Sequence, residues 1–160
     1  MDQEVEEMRI LVATDGSEYS KAAIKKCCDM IVDPQNTHVK VISVYEDAYP
    51  IAAEPFAISA EFYQRIINAA EKQSEAFVAE AASTIKTHFK ENTLDVSSEI
   101  LRGSPEQEIV EEARKWNADV IVVGCHGRGF WGRMLGSVSD AVVHHAPCSV
   151  LVVRNGISNK

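Results

Sequence analysis

A glycine-rich stretch in the second half of the chain carries the residues best suited to chemistry. Five glycines fall within thirteen residues, between a β-branched run at residues 120–123 and a Ser-x-x-Asp pattern at residues 137–140. Glycines let a ligand approach backbone N–H groups closely, and the Ser-x-x-Asp pattern predicts a capping box that opens a helix. Free N–H groups and the positive end of a helix dipole would then converge, which favours a phosphate site over a simple turn. The glycines are Gly124, Gly127, Gly129, Gly132 and Gly136.

Two better-known phosphate motifs do not describe this loop. Residues 127–132 match Gly-x-Gly-x-x-Gly, but Arg154 rather than an acidic residue ends the last predicted strand, so we reject a dinucleotide fingerprint. No Gly-Lys-Ser/Thr follows, which excludes a P-loop. Cys125 and His126 are neighbours in sequence, but that alone does not make a nucleophile and its base. We expect Cys125 to be a small residue that fits the loop, with a redox-sensitive thiol as the less favoured alternative.

Composition excludes several other classes of protein. With 160 residues and 46% hydrophobic content, the chain fits one globular domain over residues 1–160. A net charge of −8 argues against binding to nucleic acids or anionic membranes. No apolar run approaches the roughly 18 residues of a membrane span, and the acidic N-terminus does not resemble a signal peptide. Four cysteines without metal-type spacing are typical of a reduced cytoplasmic protein.

Strands and helices must alternate to position these residues. The patterns predict strands at residues 8–14, 39–44, 96–101, 120–123 and 149–153, with helices at about 19–31, 62–90, 104–116 and 137–145. This alternation predicts an α/β fold, a single doubly wound parallel sheet with helices on both faces. In the second helix we expect one apolar stripe against the sheet. Its members are Phe62, Ile66, Ala70, Phe77, Ala81 and Ile85.

The sequence also predicts how the first and third helices begin. Asp15 and Glu18 have capping spacing, with Ser17 as an alternative cap for the first connecting helix. Ser104 and Gln107 predict a capping box for the third helix, with Pro105 in the first helical position.

Ligands of doubly wound sheets bind at the carboxyl ends of the strands, where the strand order reverses. Asp15 follows the first strand and Gly124 ends the fourth. If the order reverses between those two strands, Asp15 and the glycine-rich loop face each other across one crevice. The loop at residues 45–59 also begins at a strand end. Two interpretations of this loop are equally open: it covers a ligand, or it is a surface excursion.

The chain resembles the universal stress protein family over nearly its whole length. The resemblance rests on residues 13–17, 120–127, 136–139 and 145–153. ATP-binding members of that family carry Gly-x2-Gly-x9-Gly-Ser/Thr. Here Gly124-x2-Gly127 and Gly136-Ser137 are present, and the spacer between them holds eight residues instead of nine.

By this resemblance the sheet is Rossmann-like with strand order 3-2-1-4-5, and the cofactors are ATP and magnesium. Asp15 would lie near the phosphates or their metal, and Ala13 and Val44 would frame the adenine. His126 and Arg128 would add contacts from the loop. Ribose and phosphates would be cradled by Gly124, Gly127, Gly136, Ser137 and Val138, while Thr14 and Ser139 belong to the same motifs and complete the candidate set.

The resemblance also implies a homodimer that forms through the last strand, Ser149–Arg154. The expected function is that of an ATP-binding stress-response sensor or regulator with an unidentified regulatory protein partner. Two alternatives remain open: a slow magnesium-dependent ATP hydrolase, and a nucleotide-free family member that acts only through protein contacts.

Overall fold

The computed structural model describes residues 7–47, 59–89, 93–125 and 135–155. These residues form five strands: β1 (Met8–Ala13), β2 (Thr37–Tyr45), β3 (Asp95–Arg102), β4 (Val120–Cys125) and β5 (Ser149–Arg154). The strands alternate with four helices: α1 (Glu18–Met30), α2 (Ala60–His88), α3 (Pro105–Lys115) and α4 (Ser137–His145). A short 3-10 turn at Pro34–Asn36 precedes β2. The predicted alternation of strands and helices is therefore confirmed.

All neighbouring strands are parallel, and their order is β3-β2-β1-β4-β5. This is the predicted order. The first three strands extend the sheet in one direction from β1, and β4 and β5 extend it in the other. The strand order therefore reverses between β1 and β4. The crevice of a doubly wound sheet opens at this point, outside the carboxyl ends of β1 and β4.

The central strands are buried on both faces, as the β-branched run at residues 120–123 predicts. Val122 packs with α1 and α2, whereas Ile121 and Val123 pack with α3 and α4. Ile121 and Val122 are fully buried. A strand covered by helices on both sides reads as a continuous apolar run rather than an alternating one.

The predicted apolar stripe of α2 is only partly right. Ala81 and Ile85 are buried, but Phe62 is 53% exposed and Ile66 and Ala70 are only half-buried. Apolar residues stand next to each other at residues 66–67 and 77–78 of α2, and the helix is rotated so that the second of each of these two pairs, Ile67 and Val78, faces the core. The buried residues are Ile67, Ser74, Val78, Ala81 and Ile85. Although α2 has 29 residues, none of the helices in the described part of the chain is long and apolar enough to cross a membrane.

Helix α1 begins with a cap from Ser17 rather than from Asp15. The Ser17 hydroxyl accepts a hydrogen bond from the Ser20 N–H at 3.3 Å. Asp15 accepts one from the Ser17 N–H at 3.0 Å, which forms a turn just before the helix. The alternative cap named from the sequence is therefore the one that forms.

The two predicted capping boxes are wrong. Gly136, not Ser137, occupies the N-cap of α4, and no side chain caps this helix. In α3, Ser104 occupies the N-cap and Pro105 the first helical position as predicted, but the Ser104 hydroxyl makes no capping hydrogen bond. It hydrogen-bonds the Glu106 carboxylate instead and lowers the pKa of that group. A serine hydroxyl has several possible partners near its own backbone, and the rotamer that reaches one of them turns away from the others, so spacing alone does not select the cap.

Candidate functional site

A cavity of about 220 Å³ opens at the carboxyl ends of β1 and β4. Nine of the twelve candidate residues line it. The other three, His126, Gly127 and Arg128, lie outside the described residues, as does most of the spacer before Gly136. The structure thus brings segments from distant parts of the chain into one crevice. The nine are Ala13, Thr14, Asp15, Val44, Gly124, Gly136, Ser137, Val138 and Ser139.

Five further residues line the same cavity and were missed from the sequence. Ser17 and Ser20 lie on the first turn of α1, directly after Asp15, so their spacing could have identified them. Pro105 and Ile109 come from the start of α3, which belongs to another part of the chain. Only the tertiary fold places the start of α3 at the same cavity as Asp15, and no local pattern signals it. Val123 of β4 completes the set.

Three helices begin at this cavity. Ser17 caps α1, Pro105 opens α3 and Gly136 caps α4, and all three residues line it. A helix N-terminus presents unpaired N–H groups and the positive end of the helix dipole. Asp15 is the one charged side chain among the described lining residues. The cavity therefore suits an anion, together with a cation that Asp15 could share with it.

A chain of buried hydroxyls fixes the loop that carries Asp15. The Thr14 hydroxyl donates to the Ser20 hydroxyl at 3.2 Å, and Ser20 donates to the backbone carbonyl of Ser17 at 3.0 Å. The Gly16 N–H donates to the Thr14 hydroxyl at 3.2 Å. Thr14 and Ser20 are only 6% and 4% exposed, so these bonds are shielded from water. They hold β1 and α1 at a set distance on either side of Asp15.

Gly16 allows this loop to form beneath α2. Its φ of +72° lies in the left-handed region, and a Cβ atom there would lie 2.2 Å from the Phe77 ring. Only glycine satisfies both conditions. Phe77, which the sequence predicted to face the sheet, instead packs over this loop.

Gly124 lets β4 approach the start of α1 closely. A Cβ atom at Gly124 would lie 2.5 Å from the carbonyl carbon and oxygen of Tyr19 and 2.8 Å from the Ser20 nitrogen. These are backbone atoms, which cannot move aside as a flexible side chain would. Gly124 therefore serves backbone packing as well as lining the cavity.

The donor atoms fit a magnesium ion only if a ligand supplies most of its oxygens. Asp15 is the one carboxylate among the described lining residues, and these parts of the chain hold no cluster of three or more His, Cys, Asp or Glu side chains. Magnesium is usually held by one or two carboxylates together with water and substrate phosphates. Asp15 suits that arrangement.

Comparison with known proteins assigns the family. The model described as "Universal stress protein family" matches residues 8–154. The chain is 32% identical over 148 residues to universal stress protein MJ0531 of Methanocaldococcus jannaschii. This match covers 91% of this chain and 81% of that protein.

Two solved structures share the fold. A universal stress protein in complex with cAMP has a TM-score of 0.66 and 24% identity, and the match covers 94% of this chain and 99% of that one. A universal stress protein family protein from Arabidopsis thaliana with AMP bound has a TM-score of 0.68 and 18% identity, over 95% and 97% of the two chains. Since the family model spans nearly every described residue, the chain belongs to the universal stress protein family.

Proposed function

We propose that this chain binds an adenine nucleotide, ATP foremost, in the cavity between β1 and β4, and acts as a homodimeric stress-response sensor or regulator. The observation that carries the proposal is the convergence of three helix N-termini on a partly apolar cavity bordered by Asp15. Two proteins of the same family and fold were solved with cAMP and with AMP, which supports an adenine nucleotide as the ligand class.

The lining residues divide into an apolar part and a polar part. Ala13, Val44 and Ile109 offer aliphatic surface for an adenine ring. The start of α4, with Ser137 and the N–H groups of its first turn, offers donors for phosphate oxygens. Asp15 would hold a magnesium ion, which neutralises phosphate charge when bound.

A charge placed at the start of α4 tests the proposal. Asp at position 137 adds a negative charge to the first turn of a helix, where it favours the helix by about 0.3–1 kcal/mol. The same charge would repel phosphates in the cavity, so Ser137→Asp should weaken ATP binding by about tenfold or more. Adenosine, which has no phosphate, should bind almost equally well to both proteins. Calorimetric titration with ATP and adenosine measures the difference.

Ser59→Asp is the matched control. Ser59 caps α2, and it does not line the cavity. This variant adds the same charge at another helix start and should leave ATP affinity unchanged. Equal ATP affinity in Ser137→Asp and the unmodified protein would reject the site. Analysis of the nucleotide released when purified protein is denatured would identify the natural ligand.

A further inference from the structure

A second cavity, of about 420 Å³, lies between α1 and α2. Its wall on α1 extends from Lys21 to Cys28, and its wall on α2 extends from Phe77 to His88. On each helix the lining residues follow the spacing i, i+3, i+4 and i+7, so they lie on one face. At 1.5 Å per residue the two walls are about 10 Å and 16 Å long. The cavity is therefore elongated along the helices.

The floor of this cavity is apolar. Ile24, Cys28 and Ala81 line it and are 4%, 3% and 1% exposed. Burial, together with the negative charge of Asp29, raises the pKa of the Cys28 thiol to about 11. Cys28 thus stays a neutral thiol at physiological pH and adds to the apolar surface.

Two lysines and one carboxylate are among the described lining residues at the rim. Lys21 lies 3.3 Å from the Glu80 carboxylate and 3.8 Å from that of Glu18, so Glu80, the one acidic lining residue described, already has a partner. Lys25, one turn further along α1, is exposed and forms no ion pair within the described ranges of the chain. Lys25 therefore presents a cation at the mouth of an apolar cavity.

This cavity is separate from the one proposed for the nucleotide. Thr14 borders both cavities, and the Phe77 ring lies over Gly16 on the α2 side of the loop. A ligand between α1 and α2 would thus lie behind the loop that carries Asp15. Occupancy of one cavity does not require displacement of a ligand from the other.

We propose that the cavity between α1 and α2 binds an elongated amphipathic carboxylate, with its alkyl chain against Ile24 and Ala81 and its carboxylate at Lys25. An engineered apolar cavity of about 150 Å³ is large enough to bind benzene, so this one accommodates a larger apolar group. Each methylene group that is buried contributes about fourfold in affinity. The Lys25 ammonium selects an anionic head group rather than a neutral one.

Octanoate tests the proposal by calorimetric titration of the full chain in the presence of excess AMP, which is added to occupy the nucleotide cavity. We expect saturable binding of one octanoate per chain. Lys25→Met removes the charge and keeps the alkyl stem, so it should weaken octanoate binding by about threefold to fivefold. It should leave the binding of 1-octanol, the neutral analogue, unchanged. Lys26→Met is the matched control, since Lys26 is exposed on the same helix but does not line the cavity, and it should have no effect.

Ala81→Met tests the apolar part independently. The flexible Met side chain would occupy the cavity floor, so it should reduce the affinity for octanoate and for octanol by more than tenfold, with an unchanged circular dichroism spectrum. Absence of saturable octanoate binding to the unmodified protein would overturn the proposal. Equal effects of Lys25→Met and Lys26→Met would overturn the assigned position of the carboxylate. Octanol that binds as tightly as octanoate would overturn the anionic class of ligand.

Discussion

Gly124 shows how one residue serves two purposes at this site. It lines the nucleotide cavity, and the backbone of Tyr19 occupies the space where its side chain would lie. A glycine in a phosphate-binding motif is usually explained by the approach of the ligand. Here the approach of α1 to β4 already requires it.

Gly124→Ala should therefore destabilise the protein even without nucleotide. Overpacking against atoms that cannot move aside costs about 1–3 kcal/mol, and we expect the free energy of unfolding to fall by that amount. Urea denaturation of the nucleotide-free protein measures it. A stability equal to that of the unmodified protein would show that α1 and β4 are further apart than described.

Asp15→Asn should separate the role of the carboxylate charge from its hydrogen bond. Asn retains an oxygen that can accept from the Ser17 N–H, so the turn before α1 should persist. The negative charge is lost, so magnesium should no longer strengthen ATP binding. Titrations with and without magnesium test this. Asp33→Asn is the control, because Asp33 precedes β2 at the amino end of the parallel sheet, whereas the cavity lies at the carboxyl ends. Unchanged magnesium dependence in Asp15→Asn would place the metal elsewhere.

At the scale of elements, a partly buried ion cluster joins β2, β3 and α3. The Lys40 ammonium contacts the Glu112 carboxylate and lies 2.5 Å from that of Glu99. The side chains of Lys40 and Glu112 are only 13% and 5% exposed. Burial by itself would lower the pKa of Lys40, but the hydrogen bonds and charges of Glu112 and Glu99 outweigh it and raise that pKa above its ordinary value.

Breaking this cluster on one side should destabilise the fold. Lys40→Met leaves Glu112 buried without its main partner, and such a change costs about 3–5 kcal/mol. The double variant Lys40→Met with Glu112→Leu removes both charges, so its free energy of unfolding should lie close to that of the unmodified protein. Urea denaturation of the three proteins tests this. A single variant as stable as the unmodified protein would show that Lys115, which lies 3.5 Å from the Glu112 carboxylate, or solvent compensates the buried charge.

The raised pKa of Lys40 predicts the pH range in which the ion cluster stops contributing to the stability of the fold. A lysine whose pKa is higher in the folded state contributes its stability below the unfolded-state pKa, about 10.4, and loses it as the pH rises through the folded-state value. The stability difference between the unmodified protein and the double variant should therefore stay constant near neutral pH. At strongly alkaline pH the unmodified protein should lose stability relative to the double variant. Urea denaturation at a series of pH values measures this difference. A constant difference across that range would contradict the assignment.

At the scale of the whole molecule, the outer edge of β5 is the position predicted for a homodimer interface. Within the described residues β5 pairs with β4 on one side. Leu151 and Val153 pack with the cluster under α1 and α2, yet both remain partly exposed. An apolar strand edge that is left unpaired promotes aggregation, which supports pairing with a second copy.

We expect the protein to have twice the 17.6 kDa mass of one chain in light scattering. Leu151→Asp together with Val153→Asp should reduce the mass to that of a monomer or prevent soluble expression. Val32→Asp is the control, because Val32 is 95% exposed and precedes β2, which β1 and β4 separate from β5. A soluble, folded double variant that is still dimeric would place the interface elsewhere.

Much of the architecture could be predicted from the sequence because it depends on local patterns. The buried run of β4 and the alternation of strands and helices follow from periodicity along the chain. The family resemblance supplied the strand order, and with it the convergence of Asp15 and Gly136 on one cavity. The part of the site at residues 126–128 remains a prediction.

The tertiary structure alone decided the features that depend on neighbours from distant segments. Adjacent apolar residues in α2 left its rotation open, and packing against β2 and β3 selected Ile67 and Val78 over Ile66 and Phe77 for burial. The same holds for the partnership of Lys40 with Glu112 and for the cavity between α1 and α2. Local patterns report what a residue favours in its own element, whereas burial and pairing depend on which other elements the fold brings against it.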